Sequence, residues 1–389
     1  MRKNILYFCT VNCSRPLEAG VYKKVKAQCK VLSEDGHRVF VLCRDGESDM
    51  VLIDDTNCII KRMDLSSLSK FQRNASITSF VFEIIKECQV DCLYSRFGAF
   101  SYDSYKLYSQ LHSLNVRVLL EIPTYPLKQR WNSVRQSFKS GNYILALKDI
   151  YANTIGSLGI PLFKKCVDRI VNNNGFKSIW GIPVLQISNG IDVSTIPDKP
   201  RKYKPSNQIK VMSVANIANW HGFDRLICGL AEYYKTPRET MVKVEIAGPG
   251  QEVELLTDLS KRLNVDQYIS FLGPVVGEEL DRMFDRSDVG ISVLGVHRVN
   301  MKKCDSLKAR EFCARRLPFL TEEAESQYVG KPFVKIVPSN ESPINILEVV
   351  SFYNSIAEHP EYLDEMRSFA ETKCDWKYAM KPVLDYLNQ

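Results

Sequence analysis

Short apolar runs recur along the whole chain and alternate with longer stretches in which apolar residues return at helical spacing. The first pattern is that of a buried strand, the second that of an amphipathic helix laid on a sheet. In the first half the runs predict strands near Ile5–Phe8, Arg38–Leu42, Cys58–Lys61, Asp91–Tyr94, Arg117–Leu120, Arg169–Val171 and Val184–Ile187. After the first of these, Val21, Val25, Cys29 and Leu32 share one helical stripe, and Gly36 follows in the capping region. The second half repeats the rhythm, with strands near Ile209–Val214, Val242–Ala247, Tyr268–Leu272, Val289–Val293, Pro318–Leu320 and Val334–Val337. Such alternation marks parallel sheets covered by helices on both faces. The expectation is an α/β chain of two Rossmann-like, doubly wound domains. PDKPRKYKPSNQ, at Pro197–Gln208, can continue neither helix nor strand and sets the expected boundary. It separates an N-terminal domain, 1–200, from a C-terminal one, 201–374. The last stretch, 375–389, reads as a helix kinked at Pro382 that crosses back to the N-terminal domain.

At 389 residues the chain is long enough for two cores, and 45% hydrophobic with 25% charged residues is a globular composition. No apolar run is long enough to cross a bilayer, and the amino terminus reads as a buried strand and not as a secretion signal. The 12 cysteines are scattered singly, which speaks for reduced thiols in a cytoplasmic protein and against a disulfide framework or zinc site. The net charge of +7 is uneven: residues 1–200 carry 27 Lys+Arg against 18 Asp+Glu, leaving 25 against 27 for the remainder. The basic half is expected to face an anionic partner. No nucleic-acid motif accompanies the charge, so nucleic acid is not expected. A membrane surface or a phosphate-bearing acceptor fits better.

Open parallel sheets bind ligands beyond the carboxyl ends of their strands. After Val289–Val293, a loop carrying His297, Arg298, Lys302 and Lys303 runs into a helix opened by Ser306. A helix start with Lys308 in its first turn makes a pyrophosphate seat, and Glu311 is placed to reach ribose hydroxyls. A capping box closed by Ser306 explains the same residues equally well. After Ile209–Val214, Asn216, Trp220 and His221 are candidates to face a ligand, with Gly222 permitting close approach; alternatively Trp220 packs on the sheet and Asp224 caps. AGPGQ contributes Gly248 after a buried strand. In the first domain, Gly20 in the turn Glu18–Val21, Arg96 and Glu121 follow strands. Arg96 has the alternative of a surface ion pair, and Glu121 that of accepting turn amides.

Taken together, ISNGID at Ile187–Asp192, WHGFDRLI at Trp220–Ile227, AGPG, FLGPV at Phe271–Val275 and LKAREFCARRLPFL resemble the family-4 glycosyltransferases of the GT-B fold. They are most similar to bacterial members that build cell-surface polysaccharides. GVYKKVKAQ at Gly20–Gln28 and LEIPTYP at Leu120–Pro126 extend the resemblance over nearly the whole chain. It implies two domains facing across a cleft, and retaining transfer from a UDP- or GDP-linked nucleotide sugar to a glycan or lipid-linked saccharide. No separate cofactor is implied, and no metal, which agrees with the lack of a DxD motif. Ser306, Leu307 and Lys308 would seat the diphosphate, Glu311 the ribose, and the backbone near Val275 the base. The family's paired basic residues fall on Asn216 and His221, which leaves His221 and Arg298 as the candidate grip. The first glutamate of its pair falls on Lys303, which joins Glu121 and Arg96 as a candidate catalytic residue. Arg316 stands where a glycine is usual. A non-catalytic sugar-nucleotide-binding partner and a GT-B epimerase are the competing expectations. Within Lys128–Lys165, Trp131, Val134 and Phe138 share a helical face flanked by Lys128, Arg130, Arg135 and Lys139, suited to lying against the inner face of an anionic membrane.

Overall fold

The computed structural model describes the chain except residues 1, 16, 17, 99, 123–137, 139–142, 144–146, 148, 149, 151–153, 155–158, 174, 205, 300 and 302. It divides into two compact units, Met1–Ser188 with Ala379–Gln389, and Asn189–Tyr378.

The first unit runs β1 (Asn4–Asn12), α1 (Ala19–Glu34), β2 (Arg38–Asp45), β3 (Asp49–Ile53), β4 (Ile59–Asp64), α2 (Lys70–Glu87), β5 (Cys92–Arg96), α3 (Tyr102–Ser113), β6 (Arg117–Glu121), β7 (Arg169–Asn172), β8 (Ser178–Ile179) and β9 (Ile182–Gln186). Among the described residues its strand order is β4-β3-β2-β1-β5-β6-β7-β9-β8. The strands from β2 to β9 through β1 are parallel, while β3, β4 and β8 are antiparallel to their neighbours. Central β1 is apolar along nearly its whole length because both its faces are covered. Edge strand β4 alternates and carries Lys61 and Arg62, whose ion pairs with Glu83, Glu87, Asp45 and Asp49 blunt the open edge. The hairpin strand β3 is an element that the hydrophobic pattern did not predict. Its apolar run, MVLI, is four residues long and follows a tight polar turn.

The second unit runs β10 (Gln208–Val214), α4 (Phe223–Tyr233), β11 (Met241–Ala247), α5 (Val253–Arg262), β12 (Ile269–Gly273), α6 (Gly277–Asp285), β13 (Val289–Ile291), α7 (Leu307–Ala314), β14 (Phe319–Glu322), β15 (Val334–Val337), α8 (Ile346–Glu358) and α9 (Glu361–Phe369). Its sheet is wholly parallel, in the order β12-β11-β10-β13-β14-β15, the doubly wound arrangement.

The observed division falls at Ser188/Asn189, ahead of the expected boundary, and Pro197–Gln208 lies inside the second unit. Prolines keep this segment irregular, but side chains tether it. Arg201 donates to the carbonyls of Arg315, Ser287 and Phe284, and the Tyr203 hydroxyl to that of Asp288 at 2.7 Å. The helix expected over Trp376–Leu387 breaks at Met380, and α10 (Lys381–Leu387) has Pro382 in its first turn, where the missing N–H is of no consequence.

Candidate functional site

In the second unit the strand order reverses between β10 and β13, so the loops leaving these strands diverge to opposite faces and open a crevice at their carboxyl ends. The two loops meet through bare backbone. Gly222 adopts φ +68, a Cβ there would stand 2.5 Å from the Leu294 carbonyl oxygen, and the Leu294 N–H donates to the His221 carbonyl at 3.1 Å. The AGPG loop is fitted in the same way: a Cβ on Gly248, at φ +123, would lie 1.8 Å from the Ala215 carbonyl oxygen. This approach of two backbones accounts for Gly248 by itself. Asn216 is exposed and Trp220 part-buried.

Helix α7 opens at the same end of the sheet. The Ser306 hydroxyl accepts the Lys308 N–H at 3.1 Å, and the Ser306 N–H donates to Glu325 Oε1 at 3.0 Å. The cap's carboxylate therefore comes from Glu325, after β14; the N3 position of a local capping box is Ala309, which has no side-chain acceptor, and Glu311 lies beyond it. The Leu307 N–H, at the first helical position, has no partner among the described residues. Lys308 donates from Nζ to the Ser292 carbonyl at 2.5 Å; burial pulls its pKa down to about 8, against the opposing pull of Glu325 and Cys304. His221 is 2% exposed and lies between Trp220 and Phe223, with ring centroids at 3.8 and 5.5 Å. Burial, with the charge of Lys308 adding to it, lowers its pKa to about 3. Nδ1 lies 3.2 Å from the Ala218 amide nitrogen and 3.3 Å from the Ala218 carbonyl oxygen, so the turn satisfies it in either tautomer. His221 is thus neutral and not a cationic grip for phosphate.

Arg298 is likewise not an open cation. Its five donors are taken: Nε and one Nη2 donor by Glu341, the other Nη2 donor and one Nη1 donor by Asp224 at 2.7 and 2.9 Å, and the last by the Asn219 carbonyl at 2.9 Å. These partners hold its pKa up and make it a clamp between the loops after β10, β13 and β15. Asp224 is one jaw of that clamp. His297 joins it, bridging Glu341 at 2.8 Å and the buried Glu322 at 2.9 Å; Glu322 in turn pairs with the buried Arg225 at 3.2 Å. Glu311 is paired with Arg315 at 3.0 Å, so contact with ribose requires its remaining acceptor capacity. Lys303 is exposed in the loop before α7, and Val275 is buried between β12 and α6. Arg316 adopts φ +56, the left-handed conformation that the expected glycine would take without cost, and its guanidinium is held by Asp198 and Asp364.

The first unit has its own reversal between β1 and β5. There Glu121, 1% exposed, accepts from Tyr7 at 3.0 Å, Tyr94 at 3.1 Å and Arg96 at 2.6 Å, with Lys24 at 3.5 Å. Burial alone would raise its pKa, but Lys24, Arg96 and the two phenols outweigh it and hold it low. A carboxylate so enclosed cannot touch a substrate, so Glu121 positions Arg96 and Lys24 and is not a catalytic group itself. Arg96, 13% exposed on its side chain, is the part of this cluster nearest to solvent apart from Lys24. Gly20 lies in the first turn of α1 with open space beside it.

Trp131, Val134 and Arg135 of the expected membrane face lie outside the described residues, as do Lys128, Arg130 and Lys139. Phe138, Tyr143 and Leu147 are described, helical, and 44%, 63% and 63% exposed. Among the described residues no helix is long and apolar enough to cross a membrane, and no group of His, Cys, Asp and Glu is arranged to hold a metal ion.

No family model and no curated protein matches the sequence. Solved structures do. A glycosyltransferase from Rickettsia africae is 14% identical, with 99% of this chain and 97% of that one covered and a TM-score of 0.62. Sucrose-phosphate synthase from Thermosynechococcus elongatus is 13% identical over 100% and 99% of the two chains, with a TM-score of 0.60. HepE of Anabaena, solved in complex with UDP-glucose, is 13% identical over 100% of each chain, with a TM-score of 0.52. With its two parallel-sheet units, the chain has the GT-B fold of these glycosyltransferases.

Proposed function

We propose that this chain is a nucleotide-sugar-dependent glycosyltransferase whose donor diphosphate sits at the start of α7. The observation that carries the reading is the meeting, at one strand-order reversal, of the Leu307 N–H, which has no partner among the described residues, with the Lys308 ammonium and the neutral His221. A departing nucleoside diphosphate gains negative charge as the glycosidic bond to it breaks. Donors already fixed by the fold stabilise that charge without reorganising. In a retaining, front-face reaction the leaving phosphate oxygen takes the acceptor proton, so the protein need supply no base of its own. That suits a site in which Lys303 stands where the resemblance places a carboxylate. The structural neighbour solved with UDP-glucose supports a nucleotide sugar as the ligand class. The basic first half and the exposed Phe138, Tyr143 and Leu147 support a lipid-linked saccharide at an anionic, cytoplasmic membrane face as the acceptor.

The test is a panel of nucleotide sugars assayed for binding and for slow donor hydrolysis. At least one donor is expected to bind and turn over, and Lys308→Ala to weaken its binding by about 10- to 100-fold, the value of a charge-assisted hydrogen bond. Binding without turnover for every donor would favour the non-catalytic partner, and no binding would remove the donor site.

A further inference from the structure

The acid at the α7 cap was not expected from the sequence, and its position has a consequence for donor binding. Glu325 is 0% exposed. Its Oε1 accepts the Ser306 N–H at 3.0 Å, and its Oε2 accepts the Thr321 hydroxyl at 2.7 Å. The carboxyl therefore occupies an amide of the helix start that would otherwise point at an incoming anion. The charged and titratable groups around it include Lys308, Arg310 and Cys313 from α7, Cys304 and Asp305 from the preceding loop and Tyr328 from the turn that follows. Of the two cations, Arg310 is paired with Asp305, while Lys308 acts directly on Glu325.

We infer that Glu325 is a positioning residue of the donor seat that takes up a proton from solvent when a diphosphate binds. This rests on the reading of α7 as the diphosphate seat. A diphosphate carries two negative charges and draws the field of Lys308 towards itself. An ionised carboxylate bonded to the cap residue of the same helix would then be buried beside an anion with the charge of Lys308 shared between them. Protonation removes the repulsion and keeps the geometry, because a neutral carboxyl still accepts from Ser306 through its carbonyl oxygen and can turn its hydroxyl towards Thr321. Burial already raises the Glu325 pKa in the free chain, the same direction in which a bound diphosphate would move it.

The experiment is calorimetric titration of the full chain with UDP-glucose, whose diphosphate has no titrating group between pH 5 and 9, in buffers of different ionisation enthalpy. If UDP-glucose does not bind, the nucleotide sugar that binds best in the donor panel takes its place. The wild type is expected to take up protons on binding, with a maximum between the free and bound pKa of Glu325, and a second uptake near pH 8 from Lys308. Glu325→Gln, whose oxygen still accepts the Ser306 N–H while its amide N–H donates to the Thr321 hydroxyl, is expected to bind the donor with the lower-pH uptake gone. Lys308→Arg should remove only the uptake near pH 8. Should the Gln variant fold poorly, Thr321→Val is the second probe: loss of the hydroxyl disfavours the ionised acid and should move the Glu325 window to higher pH. Donor binding with the same proton uptake in wild type, Glu325→Gln and Thr321→Val would overturn the inference and leave the donor site standing. Failure of every nucleotide sugar to bind would remove both.

Discussion

At the scale of single residues, the site is built from groups held away from their ordinary charge states. His221 shows the sign of the effect most clearly. Its folded pKa of about 3 lies below the ordinary 6.5, so between these values the unfolded chain binds a proton that the folded one refuses. Stability contributed at neutral pH is therefore lost as pH falls from 6.5 towards 3, at about 1.4 kcal/mol per pH unit. His221→Gln offers an amide oxygen to the Ala218 N–H without a titrating ring. It is expected to flatten this part of the acid limb, read as urea midpoints at pH 7, 6 and 5. The stacked Trp220 serves as the local fluorophore. Equal slopes in the two proteins would show that the imidazole is not kept neutral. At pH 7 such a His221 carries no charge, which leaves Lys308 as the cation beside it at the start of α7.

At the scale of elements, the loops around the crevice are joined by carboxylates from distant parts of the chain. Glu341, in the loop after β15, is 64% exposed on its side chain, yet it holds both His297 and Arg298, and those hydrogen bonds bring its pKa down to about 2. An exposed pair of this kind contributes under about 1 kcal/mol to global stability, so its effect should be local. Glu341→Gln is expected to speed amide exchange in Val296–Val299 by about tenfold while leaving β10 and β13 protected. Unchanged exchange would mean that Asp224 and Asn219 suffice to hold Arg298. This arrangement also explains what was legible beforehand. The parallel strands announced themselves because each is a short apolar run buried on both faces, and the Ser306 cap because its signal is local. Glu325 and Glu341 act on helix and loop residues 19 and 43 positions away, and no periodicity marks such a contact. Glu121 was found by its place at a strand end. Its role was misread because two phenols and two cations from other elements enclose it. Arg316 looked like a lost glycine. The backbone keeps the left-handed turn regardless, and Asp198 and Asp364 secure the side chain.

At the scale of the whole molecule, the chain leaves the first unit at Ser188, builds the second, and returns at Ala379 to complete the first. The final helix is therefore part of a core formed by residues nearly the full length of the chain away. Val383, Leu384 and Leu387 are buried there, Arg117 and Arg169 lie over the Tyr386 ring at 5.2 and 4.9 Å, and Lys3 donates to the Leu387 carbonyl. Three buried aliphatic side chains contribute several kcal/mol, and the two cation–π contacts about 0.5–1 kcal/mol each. The proposed diphosphate seat at the start of α7 lies in the second unit, whose core includes none of these residues. Removing residues 380–389 should therefore separate the two cores energetically: unfolding of the first unit moves to lower temperature as a distinct transition, while the affinity for nucleotide sugar stays within about twofold. A single calorimetric transition at the wild-type temperature would show that the terminal helix adds little to the first core. A lost donor affinity would show that the second unit does not form its seat independently of that core.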